Sequence, residues 1–170
     1  ARVALECGVR LVVPLPLPRD IYVKDFESDR SRDEFELLLA RASDWFEIPL
    51  LNGVTSQEIE QEQFLRDEQY GYLGAYIVNN SQFLIALWDG VPAVLSNGTG
   101  DIVTFNLEGV PERFSSERSM LDPVESDPVY HIVTPRKSNP SPPYPPLTLR
   151  KIYPDQNSDS KGVEEALQSV

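Results

Sequence analysis

Cysteine and histidine are almost absent from this chain, which has one of each in 170 residues. Because a disulfide needs two cysteines, Cys7 cannot form one within the chain, and a reducing, cytoplasmic environment is expected. A structural zinc site needs four ligands, most of them nitrogen or sulfur, which Cys7 and His131 cannot supply. Any metal would have to be held by carboxylate oxygens, and we expect neither a metal nor a cofactor.

Basic residues and long apolar runs are also scarce. The chain has 15 basic and 27 acidic residues, and its net charge is -12. This charge repels phosphate backbones and anionic membrane surfaces, so we expect no nucleic-acid partner and no membrane contact. No apolar run approaches the roughly 20 residues that span a bilayer, and the N-terminus lacks the pattern of a signal peptide. A small phosphorylated ligand stays compatible with the charge, because a few backbone N–H groups can hold one phosphate.

Apolar runs alternate with amphipathic segments along the first 136 residues. Nearly continuous apolar runs at 10–15, 83–87 and 129–133 are typical of strands buried on both faces, with 83–87 as a central strand. A shorter run at 45–48 predicts another strand. Helices are predicted where a capping signal precedes apolar residues at helical spacing: from Ser31, from Thr55 to about Asn80, and from the glycine turn at 97–100 to Gly109. This order predicts a doubly wound α/β domain with a mostly parallel, Rossmann-like sheet.

The predicted domain covers residues 1–136. Prolines predict a loop at 16–26, and an exposed insertion is predicted at 110–128. Residues 137–153 are proline-rich and predict a covering strap with an edge strand at 147–153, followed at 154–170 by a linker that leads into a helix. The first eight residues read as the end of a helix without a start signal, so we expect elements before Ala1 and further domains in the full-length protein.

The candidate site follows from this fold class, because ligands bind where parallel strands end at their carboxyl side. One predicted strand ends at Trp88, another ends before Arg136, and a predicted helix begins near Gly98. Unpaired N–H groups at a helix N-terminus favour an anion, and glycine allows it to approach the backbone. The candidate ligand-binding residues are Trp88, Asp89, Gly90, Gly98, Thr99, Gly100, Asp101 and Arg136.

Each of these residues also has a plainer interpretation. Thr99 can simply cap the helix and Asp101 can complement its dipole, while the glycines can serve only for positive φ. Trp88 can pack against the core, and Asp89 before glycine is ordinary turn chemistry. His131 lies inside an apolar strand and is interpreted as a core histidine with satisfied hydrogen bonds.

The stretches 76–90 (YIVNNSQFLIALWDG) and 98–103 (GTGDIV) resemble the SLOG superfamily, Rossmann-like relatives of the bacterial LOG and DNA-processing proteins. The flanking segments 11–26 and 129–136 extend the resemblance to about residues 1–136. It implies binding of a nucleotide or nucleotide derivative, with Gly98 and Thr99 on the glycine-threonine phosphate loop. The catalytic glutamate of the phosphoribohydrolase members falls on Ile102, and the strands and glycine loop that precede this region in the family would lie before Ala1.

Three functions follow. The first is a sensor-type module for a small phosphorylated nucleoside derivative, with phosphate at Gly98 to Gly100 and base or ribose near Trp88 or Asp89. The second is a hydrolase of a nucleotide N-glycosidic bond, in which Asp89 or Asp101 supplies the acidic group. The third is a structural or interaction domain without a ligand.

Overall fold

The computed structural model describes residues 1–91, 97–114, 128–137 and 139–154. The chain is of the mixed α/β class and divides into two compact units, residues 1–73 (unit 1) and 74–170 (unit 2). The helices that it describes are α1 (Arg2–Glu6), α2 (Arg19–Tyr22), α3 (Asp29–Arg41), α4 (Ser56–Gln61), α5 (Gln63–Asn79) and α6 (Thr99–Glu108). The strands are β1 (Val12–Leu15), β2 (Asp44–Glu47), β3 (Leu84–Trp88), β4 (Val129–Val133) and β5 (Leu149–Ile152).

Several predicted segments fall partly or wholly outside the described residues. Of the predicted insertion at 110–128, residues 115–127 lie outside, and so do residues 155–170 of the predicted linker. A short 3-10 helix, Glu112–Phe114, is described within the insertion. In the described ranges no helix is long and apolar enough to cross a membrane.

Unit 1 contains a two-stranded parallel sheet, in which β1 pairs with β2 from Val12↔Asp44 to Leu15↔Glu47. The prediction that this first strand is buried on both faces is wrong, because Val12 is 41% exposed. The predicted loop at 16–26 is also wrong in part, since it contains α2 and a 3-10 helix, Val23–Asp25. Pro18 is the N-cap of α2, a position at which a proline is compatible with a helix. Burial of Ile21 in the core of unit 1 stabilises this helix.

Two helices of unit 1 begin at capping residues, one of them where the sequence predicts it. The Thr55 capping box is confirmed, with the Thr55 hydroxyl accepting from the Glu58 N–H at 3.3 Å. The helix that it opens stops after Gln61, and α5 begins at Gln63, so the single long helix predicted here is wrong. The predicted start at Ser31 is wrong by one turn, because Ser28 caps α3 and accepts from the Ser31 N–H at 3.2 Å.

Gln69 joins α5 to the loop at 49–51 inside unit 1. Its side chain is fully buried, and its two polar ends bond to backbone groups: the amide nitrogen donates to the Pro49 carbonyl at 3.1 Å, and the oxygen accepts from the Leu51 N–H at 3.2 Å. Both polar ends are therefore satisfied, and the loop is held at a defined distance from the helix.

We expect Gln69→Leu to destabilise unit 1 by about 2 kcal/mol, because it leaves a backbone donor and an acceptor unpaired in a partly buried loop. Trp45 is the one tryptophan in residues 1–73, so denaturant unfolding followed by fluorescence in a Trp88→Phe background reports on unit 1. Gln63→Leu, on the exposed start of the same helix, is the matched control. Equal losses in the two variants would contradict the assigned role of Gln69.

Unit 2 is built on a three-stranded sheet of order β3-β4-β5, with β4 parallel to β3 and antiparallel to β5. The predicted edge strand at 147–153 is confirmed as β5. The strand predicted to be central, at 83–87, instead lies at the end of this described sheet as β3. Helix α6 covers one face of the sheet, where Val103 packs with Ala86 and Val129, and it ends at Gly109 as predicted.

Gly74 allows a close approach between two helices within unit 2. A Cβ on Gly74 would lie 1.8 Å from Cδ1 of Ile102 in α6. The absence of a side chain at Gly74 therefore lets Ile102 of α6 pack directly against the backbone of α5.

Candidate functional site

The parallel register of β3 and β4 brings the carboxyl ends of two strands together. Trp88 pairs with Val133, and the Trp88 carbonyl accepts from the Thr134 N–H at 2.7 Å. The segments that follow the two strands, beginning at Asp89 and Thr134, therefore start at the same edge of the sheet. This is the edge at which ligands bind in parallel α/β sheets.

The turn after β3 is held by two side chains. Gly90 has φ +82°, a conformation that favours glycine, and the Val91 N–H donates to Oδ1 of Asp89 at 3.3 Å. The indole N–H of Trp88 donates to the Val91 carbonyl at 2.9 Å. Trp88 and Asp89 thus both stabilise the turn, which agrees with their plainer interpretations as packing and turn residues.

Asp89 is the centre of a polar cluster with Asn139 and Arg136. Its side chain is buried, and its Oδ2 accepts from the Asn139 amide at 3.1 Å, while Nε of Arg136 lies 3.8 Å from Oδ1. Arg136 and Asn139 bond to each other through both backbone N–H and carbonyl groups, which presents the two side chains from one tight turn. The Arg136 side chain is 42% exposed, so its charge stays accessible.

The charge state of Asp89 follows from this cluster. Burial raises the pKa of the carboxyl, but the hydrogen bonds from Asn139 and from the Val91 backbone, with the charge of Arg136, outweigh burial and hold the pKa below its ordinary value. The carboxylate is therefore ionised at neutral pH, and it acts as an acceptor rather than as a proton donor.

His131 lies directly beneath the turn. Its side chain is fully buried, its ring centroid is 5.2 Å from that of Trp88, and a Cβ on Gly90 would lie 3.4 Å from its Cε1. Nε2 is 2.9 Å from the Trp88 carbonyl; because a carbonyl only accepts, Nε2 carries the proton. Nδ1 has no hydrogen-bond partner among the described residues. His131 is thus the core histidine that the sequence predicts, but only one of its nitrogens is satisfied.

The helix α6 begins with Gly98 at the N-cap and Thr99 as its first residue, so Thr99 is not the capping residue. Oδ2 of Asp101 accepts from the Gly98 N–H at 3.1 Å, which confirms its plainer role at the first turn. Gly98 has φ -81°, which any residue can adopt, whereas Asn97 takes the positive φ of 65°. Backbone strain therefore does not explain the glycine at position 98.

The predicted site residues fall into two groups. Four of them, Trp88, Asp89, Gly90 and Arg136, belong to one connected group at the ends of β3 and β4, whereas the other four, Gly98, Thr99, Gly100 and Asp101, lie at the start of α6. No hydrogen bond between described residues joins the second group to Asp89 or Arg136.

Sequence reasoning missed Asn139 because it lies 50 positions from Asp89 in a proline-rich run, and no local pattern marks it. Within the described residues there is no group of three or more His, Cys, Asp or Glu side chains placed to hold a metal ion.

Asn139→Ala should raise the pKa of Asp89, because it removes a hydrogen bond to the ionised form, and an NMR titration of the carboxyl carbon measures this. Since the folded-state pKa is lowered, the carboxylate stabilises the fold above the unfolded-state pKa of about 3.9, and this contribution is lost as pH falls through the folded-state value. The stability difference between variant and parent should therefore be largest near neutral pH and shrink in acid.

Lys137→Ala is the control for this titration, because Lys137 is exposed in the same turn and makes no described contact with Asp89. It should leave the pKa of Asp89 nearly unchanged. An equal rise in both variants would mean that a general disturbance of the turn, rather than loss of the Asn139 hydrogen bond, raises the pKa of Asp89.

Comparison of the chain with protein-family models, with curated proteins and with solved structures gives no match.

Proposed function

We propose that unit 2 binds a small phosphorylated nucleoside derivative at the carboxyl ends of β3 and β4, as the sensing module of a doubly wound, Rossmann-like domain of SLOG type. The observation that carries the proposal is the cluster of Asp89, Arg136 and Asn139 at the ends of two parallel strands, with α6 following the first of them. Parallel pairs with helices in the connection, β1 to β2 and β3 to β4, also support a doubly wound arrangement.

In this proposal the phosphate lies at the start of α6. The N–H groups of Gly98, Thr99 and Gly100 and the helix dipole favour an anion there. Gly98 does not need glycine for its backbone conformation, which leaves close approach by a ligand as a reason for its missing side chain. The partly exposed guanidinium of Arg136 supplies local positive charge to a strongly acidic protein.

The ionised Asp89 supplies the acceptor for a ribose hydroxyl, and the ring of Trp88 provides an apolar wall next to it. A sensing role is favoured over hydrolysis by two features. Asp101 already accepts from the Gly98 N–H, and the position of the catalytic glutamate in the resembling enzymes holds Ile102. Neither residue is then arranged as a general base.

Calorimetry of the 170-residue chain with AMP, NAD and cyclic di-AMP tests the proposal, and at least one should bind. Gly98→Val should weaken that binding about tenfold or more, equivalent to about 1.4 kcal/mol, by blocking approach to the backbone. Thr104→Val, nearly two turns further along α6 and exposed, should keep the parent affinity. Unchanged affinity in Gly98→Val would contradict the phosphate position.

Arg136→Ala should also weaken the binding, about tenfold, because it removes the positive charge beside Asp89. Lys137→Ala removes the same charge from the neighbouring position and is expected to change the affinity much less. If both variants lose affinity equally, long-range charge and not a contact with Arg136 explains the loss.

Chromatography of the same mixtures separates binding from turnover. If a free base is released and Asp89→Asn abolishes this release, the chain is an N-glycosidic hydrolase and the sensing proposal is wrong. If no compound binds to the folded chain or stabilises it, a structural or interaction domain would be the better description.

A further inference from the structure

Unit 2 has a sheet face that its described residues leave uncovered. Helix α6 packs on the face that carries Ala86, Val129 and Ile152. Because side chains alternate along a strand, the intervening residues point to the opposite side. This second surface, here called the open face, consists of Phe83, Ile85, Leu87, Tyr130, Ile132 and Leu149.

The open face is continuous and apolar. Leu87, Ile132 and Leu149 form one row across the three strands, in register with one another. Ile85 pairs with Tyr130 in the next row, and Phe83 meets the Tyr130 ring edge-on with centroids 6.2 Å apart. Ile85 and Leu87 are 63% and 64% exposed. Sheets that contain parallel strands are normally covered on both faces, so the open face calls for a covering element.

We propose that the C-terminal segment 162–170 of this chain, which lies outside the described residues, covers the open face as an amphipathic helix. Its sequence, GVEEALQSV, places apolar residues at i, i+3, i+4 and i+7, which is the spacing of one helical stripe. These residues are Val163, Ala166, Leu167 and Val170.

The dimensions of the segment fit the face. The described chain ends just after β5, the strand that carries Leu149 at the rim of the open face. Residues 153–161 can span up to about 30 Å when extended, whereas a three-stranded sheet is about 10 Å across. A helix over 162–170 would be about 13 Å long, comparable to the length of a five-residue strand. The segment can therefore reach every row of the open face.

The charge at the open face is also complementary to that of the segment 162–170. Lys151 is exposed on the same face of β5, with its ammonium 5.4 Å from the centre of the Tyr130 ring. Glu164 borders the apolar stripe of the segment, where it can approach this ammonium, whereas Glu165 lies on the opposite side of such a helix. In a chain of net charge -12, a cation beside the open face favours an acidic helix there.

Disulfide trapping in a Cys7→Ser background tests the proposal, since Cys7 is the one native cysteine. Leu87→Cys and Leu149→Cys mark the two ends of the row that also contains Ile132, and each is combined in turn with Leu167→Cys. The matched controls combine the same two positions with Gln168→Cys, which lies off the apolar stripe. Leu87 and Leu149 are exposed, so these substitutions leave the core intact.

At least one Leu167→Cys combination should form an intrachain disulfide at least ten times faster than its Gln168→Cys control. Equal rates would show an undocked tail and overturn the proposal. Disulfide-linked dimers in place of intrachain bonds would instead identify a second copy as the occupant of the open face, and they too would overturn it.

A second measurement uses no cysteine. Leu167→Glu should increase binding of a hydrophobic dye to the full chain, because it undocks the segment, while Gln168→Glu adds the same charge and should leave dye binding at the parent level. Equal dye binding by both variants and the parent would contradict the docking of Leu167.

Discussion

The architecture of unit 2 depends on one backbone group, the carbonyl of Trp88. It accepts from the Thr134 N–H and from the ring of His131, so it ties the end of β3 both to the end of β4 and to the core beneath. This junction fixes the register of the parallel pair. A slip of one residue would turn every side chain to the other face and separate Asp89 from Arg136.

The buried polar groups near this junction differ in how well their hydrogen bonds are satisfied. The Asp89 carboxylate is compensated by donors from three residues, which is why its pKa stays low despite burial. Nδ1 of His131 is a buried acceptor without a described partner, and such a group costs about 1 to 3 kcal/mol. The same sheet is covered by α6 on one face, whereas the described residues leave its other, apolar face exposed. Among its described residues, unit 2 therefore has both a buried acceptor without a partner and an apolar face without a cover.

Much of the local structure could be predicted from the sequence, because hydrophobic periodicity and capping are properties of neighbouring residues. The strand β4, the helix α6 with its end at Gly109, and the Thr55 capping box are examples. Predictions failed where a tertiary contact decided the outcome. Burial of Ile21 made a helix of a proline-flanked segment, and the break between α4 and α5 has no local signal.

For the candidate site, the sequence by itself determined which residues follow the strands and begin the helix: the Asp89 turn, the Gly98 start of α6 and the position of Arg136. Only the tertiary structure decided which of them meet. Asp89 joins Arg136 and Asn139 across about 50 positions because parallel pairing aligns two distant strand ends. Such a contact depends on register and turn geometry, which the order of residue types along a single strand does not encode.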